Sequence, residues 1–223
     1  MKILAVADHI DPLVYSSLIK TRFKDVDVIL GAGDLPLEYY SYIVSTLNKP
    51  LLFVFGNHNL NRYDEIRHRK ITDPRTWEEN VKLENSLGAV FIGGQTYRVG
   101  KTLFAGMGGC MKYNDGENQY TEFQMFWKLV AMIPRLLLNK LRFGRYLDVF
   151  LTHASPRGVG DKSDLCHLGF KNFHWFLRFF KPAYLVHGHI HLYDLNESRS
   201  RLYDQTVVIN AYDHIVIDLE DRK

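Results

Sequence analysis

Cysteine is scarce in this chain: Cys110 and Cys166 are the only two among 223 residues. Two thiols cannot form the disulfide framework of a small secreted scaffold, so a reduced, cytoplasmic setting is the default expectation. Charge of one sign is scarce too. Lys and Arg number 28 against 25 Asp and Glu, a net charge of +3. That excess is too slight to point to nucleic acid. No apolar run free of charge approaches the roughly 20 residues that a membrane-spanning helix needs. The apolar run after Met1-Lys2 is too short for a signal-peptide core, and Asp8 ends it. Internal repeats, low-complexity tracts and Ser/Gly-rich linkers are missing as well. Residues 1–223 are therefore expected to form a single domain. A globule of this length buries roughly 70% of its unfolded surface.

What the chain does have is a recurring pattern of apolar runs that end in polar clusters. Ile3 to Ala7 runs into Asp8, and Val26 to Leu30 into Gly33-Asp34. Leu51 to Phe55 runs into Gly56-Asn57-His58. Val149 to Thr152 runs into His153, and Ala183 to Val186 into His187-Gly188-His189-Ile190-His191. In open α/β sheets the ligand crevice lies beyond the carboxyl ends of the strands. Five segments thus deliver Asp, Asp, Asn/His, His and His/His to one edge. Those oxygen and nitrogen donors suit divalent first-row transition metals.

The first quarter reads strand, helix, strand, helix, strand, with helices over Leu13 to Phe23 and Leu37 to Leu47. The middle reads as strands over Val90 to Ile92, Tyr97 to Val99 and Leu103 to Ala105. A helix over Asn172 to Phe180 and closing strands at Val207 to Ile209 and His214 to Asp218 complete the pattern. Early βαβ units and late adjacent strands fit two sheets flanked by helices. In the segment from Tyr120 to Tyr146, Phe123, Trp127, Val130, Leu137 and Leu141 recur at helical spacing, which predicts a core face. Pro134 is expected to break or kink that helix. Lys128, Arg135, Lys140, Arg142 and Arg145 stand beside Phe126, Trp127 and Phe143, which leaves weak membrane-surface contact through 120–146 as the alternative. Cys110 has no base motif beside it and reads as a buried small hydrophobe.

The ordered clusters resemble the calcineurin-like metallophosphoesterase superfamily, whose signature runs Asp-x-His, Gly-Asp, Gly-Asn-His, a lone His, then Gly-His-x-His. Here these are Asp8-His9-Ile10, Gly33-Asp34, Gly56-Asn57-His58, His153 and Gly188-His189-Ile190-His191. The resemblance implies a four-layer αββα sandwich. It also implies two divalent ions (Mn, Fe or Zn) that hydrolyse phosphomonoesters or phosphodiesters through a metal-bound hydroxide. Asp34 would bridge the ions, Asp8 and His191 would hold one, and Asn57, His153 and His189 the other. His58 would stabilise the transition state and protonate the leaving oxygen. Histidine suits that task because a free imidazole titrates at about 6.5.

Three departures accompany the resemblance. Ile10 replaces the first-motif histidine, so the first ion is expected to be held more loosely. His9, Asp11 or a water stay open as substitutes. Gly33-Asp34 continues as Leu35-Pro36 in place of Asp-Arg, and Asn59 stands where the third motif is usually acidic. Arg157, four residues after His153, could lie at the rim and bind phosphate. His167 could reach the cleft mouth, and His187 reads as a supporting residue. The expected partner is a small phosphoester or a lipid-linked phosphate. A degenerate binding or scaffold module, motivated by Ile10, and a membrane-surface hydrolase of lipid phosphates are the competing readings.

Overall fold

A computed structural model describes residues 1–58, 88–194 and 197–219. Asn59 and His68 lie outside the described residues. Strands β1 (Lys2–Ala7), β2 (Val28–Gly31), β3 (Leu51–Phe53) and β4 (Ala89–Phe91) run parallel, and β13 (Asp213–Asp218) pairs antiparallel with β1. The order of this sheet is β13-β1-β2-β3-β4. The second sheet is built from β5 (Thr96–Val99), β6 (Thr102–Met107), β9 (Val149–Thr152), β10 (Tyr184–His187), β11 (Ser200–Tyr203) and β12 (Thr206–Asn210). Its order is β11-β12-β10-β9-β6-β5, parallel through β12, β10, β9 and β6. A short parallel ribbon, β7 (Cys110–Met111) with β8 (Gln119–Tyr120), follows β6.

Side-chain alternation in β1 shows how the layers arise. Ile3, Ala5 and Ala7 face a core shared with Val28, Leu30, Phe104, Val149, Leu151 and Val186 of both sheets. Leu4 and Val6 face the opposite core, against Tyr39, Tyr40 and Ile43 of helix α2 (Leu37–Leu47). Strands apolar on both faces are what a doubly covered sheet requires. On the far side, Ala105 and Phe150 of the second sheet pack under helices α3 (Glu122–Phe143) and α4 (Asn172–Phe180). Helix, sheet, sheet, helix is the four-layer αββα sandwich that the sequence pattern predicts.

Three local expectations need correction. The helix expected over Leu13 to Phe23 shrinks to α1 (Ile19–Arg22). Ahead of it Asp11 organises turns: its carboxylate accepts the Leu13 N–H at 2.7 Å and its carbonyl the Tyr15 N–H at 2.8 Å. Asp-Pro and Ser-Ser steps favour such turns over helix. Second, α3 runs unbroken through Pro134. Proline sits on the exposed side, where water can take the carbonyl it leaves unpaired. Third, the core face of α3 is Met125, Leu129, Met132 and Leu136, while Phe123, Trp127, Leu137 and Leu141 are exposed. The helix carries two apolar stripes, and periodicity alone cannot say which one the sheet takes.

Phe150 and Phe176 stack with ring centroids 4.5 Å apart and are both fully buried, joining β9, the strand that ends at His153, to α4. Phe150→Ala is expected to lower stability by about 3–5 kcal/mol. The drop should appear as an earlier urea midpoint with the slope unchanged, and a change below about 1 kcal/mol would show the contact to be minor.

Candidate metal centre

The centre lies along the seam where the two sheets meet at the carboxyl ends of β1, β2, β3, β9 and β10. Asp8, Asp34 and His189, each just past a strand end, have φ of 65, 58 and 69 degrees. Non-glycine residues adopt this left-handed conformation rarely, Asp and His more readily than most, and such strain gathers at functional sites. It turns each side chain off its strand and across the edge. Gly33, at φ 100, passes so close to the opposite sheet that a Cβ there would stand 2.5 Å from the His153 ring. A Cβ on Gly56 would collide with the Asp34 carboxylate.

His153 is fully buried and spans the seam. Its Nδ1 lies 2.8 Å from the Ala32 carbonyl, which fixes Nδ1–H as the donor and turns Nε2 inward. Nε2 stands 3.2 Å from Asn57 Oδ1 and 3.3 Å from Asp34 Oδ2. The His189 ring lies 4.8 Å from that of His153. One donor atom each from Asp34, His153 and His189 lies within 4.8 Å of the others. Asn57 is held in place by donating its Nδ2–H to the Tyr113 hydroxyl at 3.1 Å. The His58 backbone N–H donates to Asp34 Oδ1 at 2.7 Å, which anchors the turn and leaves the imidazole exposed.

The other half of the expected set is arranged differently. Both oxygens of Asp8 receive the His189 N–H, at 3.0 and 2.9 Å. His191 packs against Tyr212, with centroids 4.9 Å apart, and its Nδ1 meets the Tyr193 hydroxyl at 3.2 Å. Ile10 is 40% exposed. Neither proposed substitute for a histidine at that place is free: His9 binds Asp213 at 2.7 Å, and the Asp11 carboxylate pairs with His214. Arg157 donates its Nε–H to the Gly169 carbonyl at 2.9 Å and lies 3.8 Å from Asp161, so it braces its own loop. His187 is buried, its Nδ1 against the Gly188 carbonyl, which fits a supporting role.

Residues that the sequence pattern undervalues also meet here. His167 stands with its ring 5.3 Å from that of His189. The neighbouring Cys166 carbonyl meets His189 Nε2 at 2.6 Å, and Asp164, Cys166 and His167 form a second, more exposed group of potential ligands. Tyr113 and Tyr212 carry no motif. Their only signal is a position in loops that follow strand-like segments. Cys110 is buried, as expected, and burial pushes its thiol up to about 12.

Charge is unevenly distributed. Burial alone would keep His153 neutral, but the Asp34 carboxylate outweighs it and raises the ring to about 9. Burial likewise opposes ionisation of Asp34, yet the His153 charge and hydrogen bond hold it well below the usual carboxylate range. Burial, aided by the His153 charge, pushes His189 down to about 3, and burial lifts Asp8 to about 7. A proton therefore sits between Asp34 and His153, where the donor set offers a cation its place. Two carboxylate and amide oxygens with two imidazoles are a fitting set for one divalent transition ion. The geometry around Asp8 and His191 does not gather a second set of that kind among the described residues.

The His153 proton stabilises the metal-free fold below the ordinary histidine pKa, and that contribution is lost as pH rises through about 9. A metal must displace the same proton. Manganese affinity is expected to rise about tenfold per pH unit across that window, one proton leaving per ion. Calorimetry in buffers of different ionisation enthalpy counts the protons, and a count of zero would place the ion elsewhere.

Known proteins share the fold. A solved structure superposes with a TM-score of 0.63 at 12% identity, covering 97% of this chain and 94% of that one. The crystal structure of TT1561 from Thermus thermophilus superposes with a TM-score of 0.57 at 15% identity, covering 95% and 89%. At such identities the likeness establishes the fold alone. No curated protein shows significant sequence similarity to the chain. The family model for calcineurin-like phosphoesterases matches residues 1–193, a span that includes every strand end contributing to the seam, and the chain belongs to that family.

Proposed function

We propose that the protein is a metal-dependent hydrolase of phosphomonoesters or phosphodiesters that holds one divalent ion firmly and a second weakly. The observation that carries this is the convergence of Asp34, His153 and His189 from three separate strand ends, with Asn57 beside them. Asp34, Asn57, His153 and His189 would hold the firm ion. Asp8, Asp34 and His191 would contribute to the weak one, and Ile10 leaves that position one imidazole short. An ion at such a site neutralises phosphate oxygens and brings the pKa of water toward neutrality.

The chain's own groups supply the rest. His58 presents an exposed imidazole beside the donor cluster, on a turn pinned by its N–H to Asp34. From there it can give a proton to the leaving oxygen. Asn57 is oriented by Tyr113, so its Oδ1 stays turned to the cluster. Burial of His153 and His189 keeps water from competing for the donor set. The mixed N/O set accepts Mn, Fe or Zn, and cellular availability decides among them. A small phosphoester and a lipid-linked phosphate both fit this chemistry.

A binding module without turnover is the second reading. It is favoured by the Asp8 carboxylate, both of whose oxygens are committed to the His189 N–H. Metal content and cleavage of bis-p-nitrophenyl phosphate with manganese separate the two. Bound metal with stimulated turnover supports the enzyme, whereas metal-free, inert protein supports the module.

His58→Ala is expected to retain its metal and lose about 10²–10⁴-fold in turnover. Joint loss of metal and activity would show that His58 is a ligand. Ile10→His is expected to tighten the weak position and raise metal uptake per chain, read by elemental analysis after dialysis. Unchanged stoichiometry would mean that position 10 faces away from the centre.

A further inference from the structure

Helix α3 carries an exposed apolar face. Phe123, Trp127 and Leu141 are 72, 54 and 84% exposed, and Leu137 and Leu138 accompany them. At 100 degrees per residue, positions 123, 127, 130, 134, 137 and 141 fall on one stripe. It lies opposite Met125, Leu129, Met132 and Leu136, the stripe that packs on the second sheet. Scattered surface hydrophobes need no explanation, but a continuous stripe marks a contact surface. This one extends along a helix of 22 residues, roughly 33 Å at the usual rise.

The charges on the helix identify the occupant. After Glu122, every charged residue of α3 is basic: Lys128, Arg135, Lys140 and Arg142. Glu122 itself is committed inward, its carboxylate receiving the N–H groups of Lys171 and Asn172 at the start of α4. Aromatic and Leu side chains on one face, bordered by cations with no acid among them, are complementary to a bilayer interface carrying anionic lipid. A protein partner would need acidic groups set to match. Among the described residues no helix is long and apolar enough to cross a membrane, so contact would be lateral.

The placement of α3 favours the same use. Its N-terminal end follows β8, and Asn118 just before β8 donates to the Phe55 carbonyl at 3.1 Å and also to the Gly56 carbonyl, next to Asn57. The helix thus starts at the edge that bears the donor cluster.

We propose that α3 is a membrane-surface helix: it lies in the headgroup region of an anionic bilayer with the stripe from Phe123 to Leu141 in the acyl boundary. The test is co-sedimentation of the full chain with vesicles of phosphatidylcholine, alone or mixed with phosphatidylglycerol. Binding is expected only to the mixed vesicles, weakening with salt, with a blue shift of Trp127 fluorescence that Trp127→Phe removes. The double variant Leu137→Gln, Leu141→Gln is expected to partition at least about tenfold less. Arg135→Gln with Arg142→Gln should cost about fivefold for each cation removed. All four side chains are exposed, so unchanged circular dichroism and melting temperature are expected. Equal binding to both vesicle types, binding to neither, or anionic binding that the Leu variants leave intact would overturn the proposal. So would a dimer, seen by light scattering, that Leu137→Gln, Leu141→Gln dissociates, because the stripe would then belong to a second copy.

Discussion

One side chain joins the two halves of the sandwich at the point where chemistry is placed. His153 directly follows a strand of the second sheet, yet Nδ1 meets the Ala32 carbonyl beyond β2, and Nε2 faces Asp34 and Asn57. Two sheets held only by apolar contact could slide against each other at small cost, since that attraction has no direction. A buried hydrogen-bonded imidazole opposes that freedom, as does the His189 N–H on Asp8, because leaving either ring nitrogen without a partner would be costly. The position of His189 follows, since its ring lies against His153 and its N–H against Asp8.

The sequence reading of the edge rests on where polar residues interrupt apolar runs, and that level of organisation survives intact. Leu37–Leu47 and Asn172–Phe180 are helical over the expected residues. Each stops where a residue turns left-handed, Asn48 and Lys181. Lost to sequence was anything depending on which way a side chain turns. Asp8, Asp34 and His189 carry their side chains through left-handed backbone, which alternation along an extended strand cannot anticipate. His9 and Asp11 looked like candidates to replace a missing ligand, but both serve to pair the β1 end with Asp213 and His214 of β13. Spacing points the stripe through Phe123 and Leu141 to the core, yet it is exposed, because a 3.6-residue period is identical on either side of a helix. His167 is legible as a loop residue near the cleft mouth, whereas Tyr113 carries no motif and arrives through a loop.

The two halves of the centre are unequal for a physical reason. Around His153, oxygen and nitrogen donors face a shared space and already share a proton. Around Asp8, the carboxylate is used up on a backbone amide, the imidazole of His191 stacks on Tyr212, and Ile10 offers no lone pair. In the first group one donor atom each from Asp34, His153 and His189 lies within 4.8 Å of the others, whereas no such convergence involves Asp8 or His191 among the described residues. The firm position proposed for an ion is the first arrangement, and the weak one is the second.

The left-handed backbone at Asp8, Asp34 and His189 has a consequence for how these positions can be dissected. Exchange to alanine there removes a functional group and at the same time leaves a residue that tolerates that conformation poorly. Asparagine adopts it readily and keeps nearly the shape of aspartate, so at positions 8 and 34 it isolates the loss of charge from the loss of backbone fit. Branched replacements would bend the main chain itself, and any functional defect they produce would report on loop geometry more than on ligand chemistry.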